Sequence, residues 1–426
     1  MHKLFWRPLT YITSVMTFAL ILSCRSNAER NFNNPVDPKK SGAPSEQPGA
    51  NPAQQSGGSA TCLTDCNPSA NLTFSFNTPN DTGISGCSVS SSRSFDTGAE
   101  LIVFNNANCG TRNQVYAQKF SYLGKPLDSP IQVSNCAFGS DGVVEFSAAR
   151  GSSSSLASFT CKDSATSYPT KIVSVTESNM SLGAITTYDT LSSSPHAGLL
   201  ALSWNPVGAA FAYVRTNLFQ RFTTTGQSLG GAVTLNHYPL GFVTQLVNGS
   251  WYVFSSSSNT LSENGLCTKI SSFGNLNCNA VQSHFDSQYG SHNITFVASL
   301  TNSSVLSSIR ESGASGWFSH HAAISFSQSD CKMLKGPDTQ SPNESIKDNA
   351  NFLEIDSKRS AVLYRSTANR AVLSVVTDNR FATETVIANG DESLGSIEAK
   401  IISNKIFVFY TTNGKSYFAS SNENAI

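Results

Sequence analysis

From about residue 70 to residue 426 the chain alternates short apolar runs with clusters of Gly, Asn, Ser and Asp. The runs include NLTFSF (71–76), ELIVFN (100–105), QVYAQKFSY (114–122), VVEFSAA (143–149) and GAAFAYV (208–214). Later come SWYVFS (250–255), NITFVASL (293–300), AVLYRS (361–366) and KIFVFYT (405–411). Each is rich in aromatic and aliphatic residues and either alternates with period two or is apolar throughout. Bounded by turn formers, such runs predict strands, some half-buried and some buried on both faces. No stretch in this region has helical periodicity. The pattern predicts an all-β domain.

An internal repeat refines that expectation. YAQKFSYLGKPLDS from Tyr116 aligns with LFQRFTTTGQSLGG from Leu218. Gln118 matches Gln220, Phe120 matches Phe222, Gly124 matches Gly226 and Leu127 matches Leu229, with cationic Lys119 and Arg221 between them. The glycines are 102 residues apart, and a weaker copy, TKISSFGNLN, places Gly274 another 48 residues on. If the longer spacing covers two units, the period is about 50 residues. That is the length of a four-stranded propeller blade, and the region holds about seven. The motif reads as a hairpin, with weaker candidates for its turn near Gly313 and Asn379. The predicted fold class is therefore an all-β propeller of about seven four-stranded blades, with tandem β-sandwiches as the alternative. NLTFSF is the expected N-terminal strand that completes the last blade. The chain resembles bacterial propeller proteins whose blades carry a YAQ-(K/R)-F…G hairpin. It lacks the Trp-Asp ending of tryptophan–aspartate repeats and the double glycine of kelch blades. SGASGW (312–317) lacks the aspartate of a sialidase Asp-box.

The N-terminus has a different texture. A basic head (His2, Lys3, Arg7) precedes an apolar run from Leu9 to Ser23, ending Leu20-Ile21-Leu22-Ser23-Cys24. Fifteen residues broken by Thr10, Thr13, Ser14 and Thr17 fall short of the ~20 that a spanning helix needs, and suit a signal peptide. The segment resembles the lipobox of bacterial lipoproteins. The resemblance implies cleavage before Cys24, lipidation of that residue and firm membrane anchoring by several acyl chains. Arg25, where lipoproteins kept in the inner membrane often have Asp, points to the outer membrane. Residues 24–68 are rich in Asn, Pro, Gly, Ser and Gln, and are read as a lipid-anchored flexible linker. The expected organisation is thus a signal peptide (1–23), the linker (24–68) and the propeller-like domain (69–426).

Composition fits an exported β protein. Charged residues make up 13 % of the chain, about half the usual share. Loss of the signal would leave 26 basic against 28 acidic residues, with the cations scattered, so no nucleic-acid footprint is expected. Setting Cys24 aside leaves nine cysteines, and export favours disulfides. Proximity suggests Cys267 with Cys278, Cys136 with Cys161, Cys87 with Cys109 and Cys62 with Cys66, leaving Cys331 over. Cys62-x-x-x-Cys66 has finger-like spacing without a second ligand pair nearby, so no metal is expected.

Catalytic motifs for zinc hydrolysis, nucleophile elbows, phosphate loops and dinucleotide binding are missing from the sequence. His320 and His321 are adjacent, and on a strand they point to opposite faces. Glycoside hydrolysis requires paired carboxylates. Asp141, Glu145, Asp189, Asp286, Glu354 and Asp356 lie near strand ends, but nothing singles out a pair among them. Arg215, Arg221, Arg310, Arg365 and Arg370 do not cluster in sequence. Trp204, Trp251, Trp317 and Tyr252 are read as blade core. The polar stretch 330–350, broken by Pro337 and Pro342, is read as a long loop and the first choice for a partner-binding segment. The expectation is a monomeric, cofactor-free envelope lipoprotein that binds a protein or glycan without catalysis. The alternative is a carbohydrate-active hydrolase or lyase, and a third reading is a structural envelope component.

Overall fold

The computed structural model describes residues 72–425, apart from residue 111 and segments 137–140, 192–199, 216–217, 237–241, 257–263, 285–291, 302–303, 314–315, 340–345, 357–358, 378–379 and 390–393. Cys24, Cys62, Cys66, Asp286 and Asn379 lie outside the described residues, as do the signal and linker segments. Among the described residues there is no helix, and the strands form seven antiparallel sheets.

A short strand, β1 (Asn80–Asp81), comes first. Blade 1 follows as β2 (Ser88–Asp96), β3 (Leu101–Asn108), β4 (Asn113–Phe120) and β5 (Ile131–Gln132). Blade 2 is β6 (Val143–Arg150), β7 (Ser154–Cys161) and β8 (Tyr168–Thr176), with β9 (Ser181–Leu182) and β10 (Thr186–Leu191) both paired to β8. Blade 3 is β11 (Leu200–Asn205), β12 (Ala210–Arg215), β13 (Leu218–Phe222) and β14 (Ser228–Thr234). Blade 4 is β15 (Phe242–Val247), β16 (Ser250–Ser256), β17 (Asn264–Ile270) and β18 (Leu276–His284). Blade 5 is β19 (His292–Thr301), β20 (Ser304–Gly313), β21 (Gly316–Phe326) and β22 (Met333–Thr339). Blade 6 is β23 (Ile346–Glu354), β24 (Arg359–Ser366), β25 (Ala371–Thr377) and β26 (Arg380–Ala388). Blade 7 is β27 (Ile397–Ile402), β28 (Lys405–Thr412) and β29 (Lys415–Ser420), with β1 as its fourth strand.

First strands of successive blades lie beside one another, β2 by β6, β6 by β11, β15 by β19, β19 by β23 and β23 by β27. This is a seven-bladed β-propeller, with the first strands around the axis and the fourth at the rim. Second strands are sandwiched between neighbouring blades, so both of their faces must be apolar. This explains runs such as LIVF and AFAYV, which are buried along their whole length. The period-two alternation then assigns each side chain to a seam. Leu101 and Val103 pack against blade 7, while Ile102 and Phe104 pack against blade 2. Phe211 and Tyr213 face blade 2, and Ala212 and Val214 face blade 4.

The repeated motif is the turn between third and fourth strands, and it packs on the preceding blade. Gly124 and Gly274 both have left-handed φ (78° and 86°), as does Gly226. A Cβ at Gly124 would meet Asn80 at 2.5 Å, beside the last blade, and one at Gly274 would meet Arg221 of blade 3 at 2.9 Å. Arg221 Nη1 donates to Phe273 O in that turn at 2.6 Å. Gln118 and Gln220 donate to backbone carbonyls of the following fourth-strand segment, at Asp128 and Leu229. The three copies fall in blades 1, 3 and 4, so the spacing of 102 residues does cover two blades. Gly313 instead ends β20 and belongs to the turn between second and third strands.

Three further expectations need correction. NLTFSF is not the closing strand. Only Phe76 bridges to Ser421, and β1 supplies the ladder to β29 through Asn80 and Asp81. The preceding residues cross the rim of blade 6, where Thr383 and Thr385 donate to the carbonyls of Leu72 and Phe74, and Phe74 is buried between blades 6 and 7. The stretch 330–350 is mostly strand rather than loop, divided between β22 and β23. Pro337 is tolerated because β22 is an edge strand with one ladder side unpaired. Finally, Cys267 and Cys278 are not bridged to each other. The β17–β18 register sets Cys267 opposite Val281 and Cys278 opposite Lys269, so the two are not cross-strand partners. Disulfides join Cys87 to Cys109 across the ends of β2 and β3, and Cys136 to Cys161 between blades 1 and 2.

Candidate functional site

The first strands of blades 7, 1, 2 and 3 surround an open recess of about 480 Å³. Its lining includes Arg93 and Phe95 from β2, Ser147 and Arg150 from β6, Trp204 from β11 and Glu398 from β27. Small residues make room for it: Ala148, Ala149 and Ala201 lie where bulky side chains would fill the space.

Glu398 is held on all sides. Its Oε2 accepts from the Ser94 backbone N–H at 3.1 Å and from Ser94 Oγ at 3.0 Å, while Oε1 pairs with Lys400 Nζ at 3.1 Å. Burial opposes its ionisation, but the charges of Lys400 and then Arg93 outweigh burial and keep its carboxyl below the usual carboxylate range. Lys400 also lies over the Phe95 ring, 4.6 Å from its centroid. Glu398 therefore presents a fixed anion to the recess and has no proton to give at neutral pH.

The two arginines differ. Arg150 forms a fork with Glu177, Nε to Oε1 at 3.0 Å and Nη2 to Oε2 at 3.0 Å, which points its charge into the protein. Arg93 has no carboxylate bonded to it among the described residues; its Nη1 donates only to Ser92 O at 3.3 Å. Trp204 is half-buried, tilted against Phe211 at 4.7 Å between centroids, with part of its ring facing the recess. An arginine with donors to spare, a fixed carboxylate and two aromatic side chains can bind a neutral polar ligand by hydrogen bonds and ring contacts.

The described candidates named from sequence lie elsewhere. Glu145 is buried in the seam between blades 2 and 3, paired with Arg215 at 3.1 Å; Arg215 also donates to Thr170. Asp141 pairs with Lys162 on the surface, and Asp356 pairs with Arg359 at 2.6 Å. Asp189 sits on outer strand β10, and Glu354 is exposed at the end of β23. Arg221 serves the blade 4 turn, and Arg365 donates to Leu394 O at 2.7 Å. The structure brings none of these residues to the recess. Trp251 and Tyr252 are buried core, as expected, whereas Trp204 reaches the recess.

Sequence reading missed Arg93, Arg150 and Glu398. A signal did exist: once the glycine turns phase the blades, the strand two before each motif strand must border the axis. SVSSSRSFD is then the axial strand of blade 1, whereas blades 2 and 7, which supply Arg150 and Glu398, carry no copy of the motif and give no such signal.

No protein-family model matches the chain, and no curated protein sequence matches it. Among solved structures it is similar to the β-propeller domain of the Trilobed protease from Pyrococcus furiosus, at 7 % identity and a TM-score of 0.46, covering 80 % of this chain and 98 % of that one. It is also similar to the propeller domain of Cps50 from Myceliophteria thermophila, at 9 % identity and a TM-score of 0.46, covering 80 % and 99 %. A third is prolyl oligopeptidase B from Galerina marginata, at 9 % identity and a TM-score of 0.45. That match covers 76 % of this chain and only 47 % of the peptidase, so the chain spans about half of its length.

Proposed function

We propose that the chain is a lipid-anchored envelope propeller whose axial recess binds a sugar unit of a glycan without turning it over. The observation that carries this reading is that Arg93, which keeps donors to spare, and the clamped carboxylate of Glu398 line one recess together with Phe95 and Trp204. Sugar hydroxyls both donate and accept, so a guanidinium and a carboxylate lining one recess satisfy them in pairs, while aromatic carbon beside them covers the apolar C–H surface of the ring. Hydrolysis with a general acid needs a carboxyl that is protonated before reaction. Glu398 is held in the opposite state. Anchoring rests on the lipobox-like segment ending at Cys24, and export is supported by the two disulfides.

The binding reading is tested by titrating the mature chain against a panel of envelope polysaccharide fragments in a calorimeter. Arg93→Ala should lower affinity about tenfold or more, the cost of losing a charged hydrogen bond, with an unchanged melting temperature. Unaltered affinity, release of reducing sugar, or capture of a protein in place of any glycan would each refute it. The anchor is tested separately: Cys24→Ala should move the chain from the membrane pellet to the soluble fraction. A variant that still pellets removes the lipid from the proposal.

A further inference from the structure

The third-to-fourth-strand turn of blade 5 departs from the glycine rule. It is one residue longer than the glycine turns but closes by corresponding bonds, with the Ser327 N–H donating to Lys332 O at 2.8 Å and the Cys331 N–H donating to Ser327 O at 3.0 Å. In blade 4 the matching bonds are Ser271 to Asn275 O and Gly274 to Ser271 O, both 2.9 Å. Cys331, at φ 61°, therefore stands where blades 1, 3 and 4 have glycine. A side chain other than glycine, asparagine or aspartate is uncommon in that conformation. Its thiol is fully buried against the preceding blade.

Blade 4 presents two more thiols at that place. Cys267 on β17 and Cys278 on β18 share one buried cluster with Cys331, together with Phe254, Phe326 and Met333. Hydrogen bonding to Cys267 first, and to Cys278 after the opposing effect of burial, holds the Cys331 thiol below its ordinary range. Three polar contacts from blade 4 hold the turn over them. Tyr252 Oη and Lys269 Nζ donate to Gln328 O at 2.9 and 2.5 Å, and Asn248 Nδ2 donates to Gln328 Oε1 at 3.1 Å. Three thiols in one pocket can form one disulfide and leave one thiol. The other described cysteines are already bridged, so the chain matures where bridges form.

We infer that Cys331 and Cys267 form a disulfide that staples blade 5 to blade 4, with Cys278 kept as a thiol beside it. The oxidant is a disulfide-carrying thiol oxidant, and exchange takes place before the turn is fully seated. The Cys331 thiol loses its proton to solvent and attacks a sulfur of the oxidant, expelling one oxidant thiolate. Cys267 then gives up its proton to solvent and attacks the Cys331 sulfur of the mixed disulfide, expelling the second oxidant thiolate, and the two protons released end on the two oxidant thiols. Two protein thiols and one oxidant disulfide become one protein disulfide and two oxidant thiols, with two electrons passing to the oxidant. The order follows from access: Cys331 rides on the turn that seats last, whereas Cys267 lies buried within strand β17.

The test is to refold the reduced full chain in a mixture of oxidised and reduced glutathione, block remaining thiols with N-ethylmaleimide in denaturant, and map peptides without reductant. The expected map links Cys331 to Cys267 and carries the label on Cys278. Label on both Cys331 and Cys267, or a Cys267–Cys278 link, overturns the inference. A second arm keeps the result independent of folding failure. Cys278→Ser should give the same cross-link in the same yield, and a folded Cys278→Ser chain without it counts against the staple. Refolding in the test tube makes the outcome independent of the membrane anchor and of the axial recess.

Discussion

The two seams of blade 4 are built from opposite faces of one strand, yet they solve the packing problem differently. On β16, Trp251 and Val253 face blade 3, while Tyr252 and Phe254 face blade 5. The blade 3 seam is mostly carbon at its centre, with Trp251 on Phe219 at 5.3 Å between centroids and its indole donating to Ser203 Oγ at 3.0 Å. At its margins Arg221 donates to Phe273 O and Asn205 to Gly249 O. Its turn approaches closely because Gly274 has no side chain. The blade 5 seam keeps a tyrosine hydroxyl, a lysine ammonium and three thiols within its packing. Its turn carries the Cys331 side chain where blades 1, 3 and 4 carry glycine; the blade 2 turn likewise carries Met180, buried against blade 1. The same blade architecture can therefore be latched by close approach or by sulfur, and only the latter responds to redox conditions.

The largest effect expected from breaking this contrast is at Trp251. Trp251→Ala removes a fully buried indole and its hydrogen bond, and should cost ~3–5 kcal/mol in denaturant unfolding. A loss under 1 kcal/mol would mean that the seam collapses to fill the gap. Next come the two turns. Gly274→Ala forces a Cβ onto a left-handed residue and against Arg221, and should cost about 1–3 kcal/mol. Cys331→Gly in the fully reduced chain should change stability by less than about 1 kcal/mol, since relief of the left-handed backbone offsets the lost burial. Equal losses at the two turns would show that the latches are equivalent.

The smallest expected effect concerns the closing seam, which is tied by neither glycine nor sulfur alone. Glu423 accepts from Ser75 Oγ at 2.6 Å and from Ser75 N–H at 2.7 Å, bonding the start of the described chain to its end. The Ser75 hydroxyl, then its backbone N–H, hold the Glu423 carboxyl below its ordinary value of 4.5. A depressed carboxylate contributes stability that is fully present above its unfolded value and lost as pH falls through the lower folded value. Melting of the parent should therefore lose a modest increment on acidification that Glu423→Gln lacks. Parallel pH curves for the two proteins would remove Glu423 from the closure.

Much of the fold was legible in the chain because the second strands must be apolar on both faces. Runs such as SWYVFS and KIFVFYT stand out for that reason, and the glycine turns fall at a blade-length period. The closing strand was misplaced by a few residues. Apolar NLTFSF looked like the strand, yet Leu72 and Phe74 are wanted in the seam between blades 6 and 7, and the polar Asn80–Asp81 makes the ladder. A rim strand needs backbone pairing rather than apolar side chains. Pro337 misled for a related reason, since an edge strand tolerates a residue without an N–H.

Local pattern by itself determined the strand content, the blade period and the glycine turns, because each depends on residues near one another in the chain. Which side chains share a site depended on how the ring closes. Arg93 and Glu398 are 305 residues apart and meet only because the last blade returns beside the first. Cys267 and Cys278 read as a hairpin pair at eleven residues' separation, but strand register sets them off each other and the next blade brings Cys331 into the same cluster. Proximity along a chain is a good guide to hydrogen-bonded strands. It is a poor one to contacts made across a seam, where the neighbour is chosen by the packing of whole sheets.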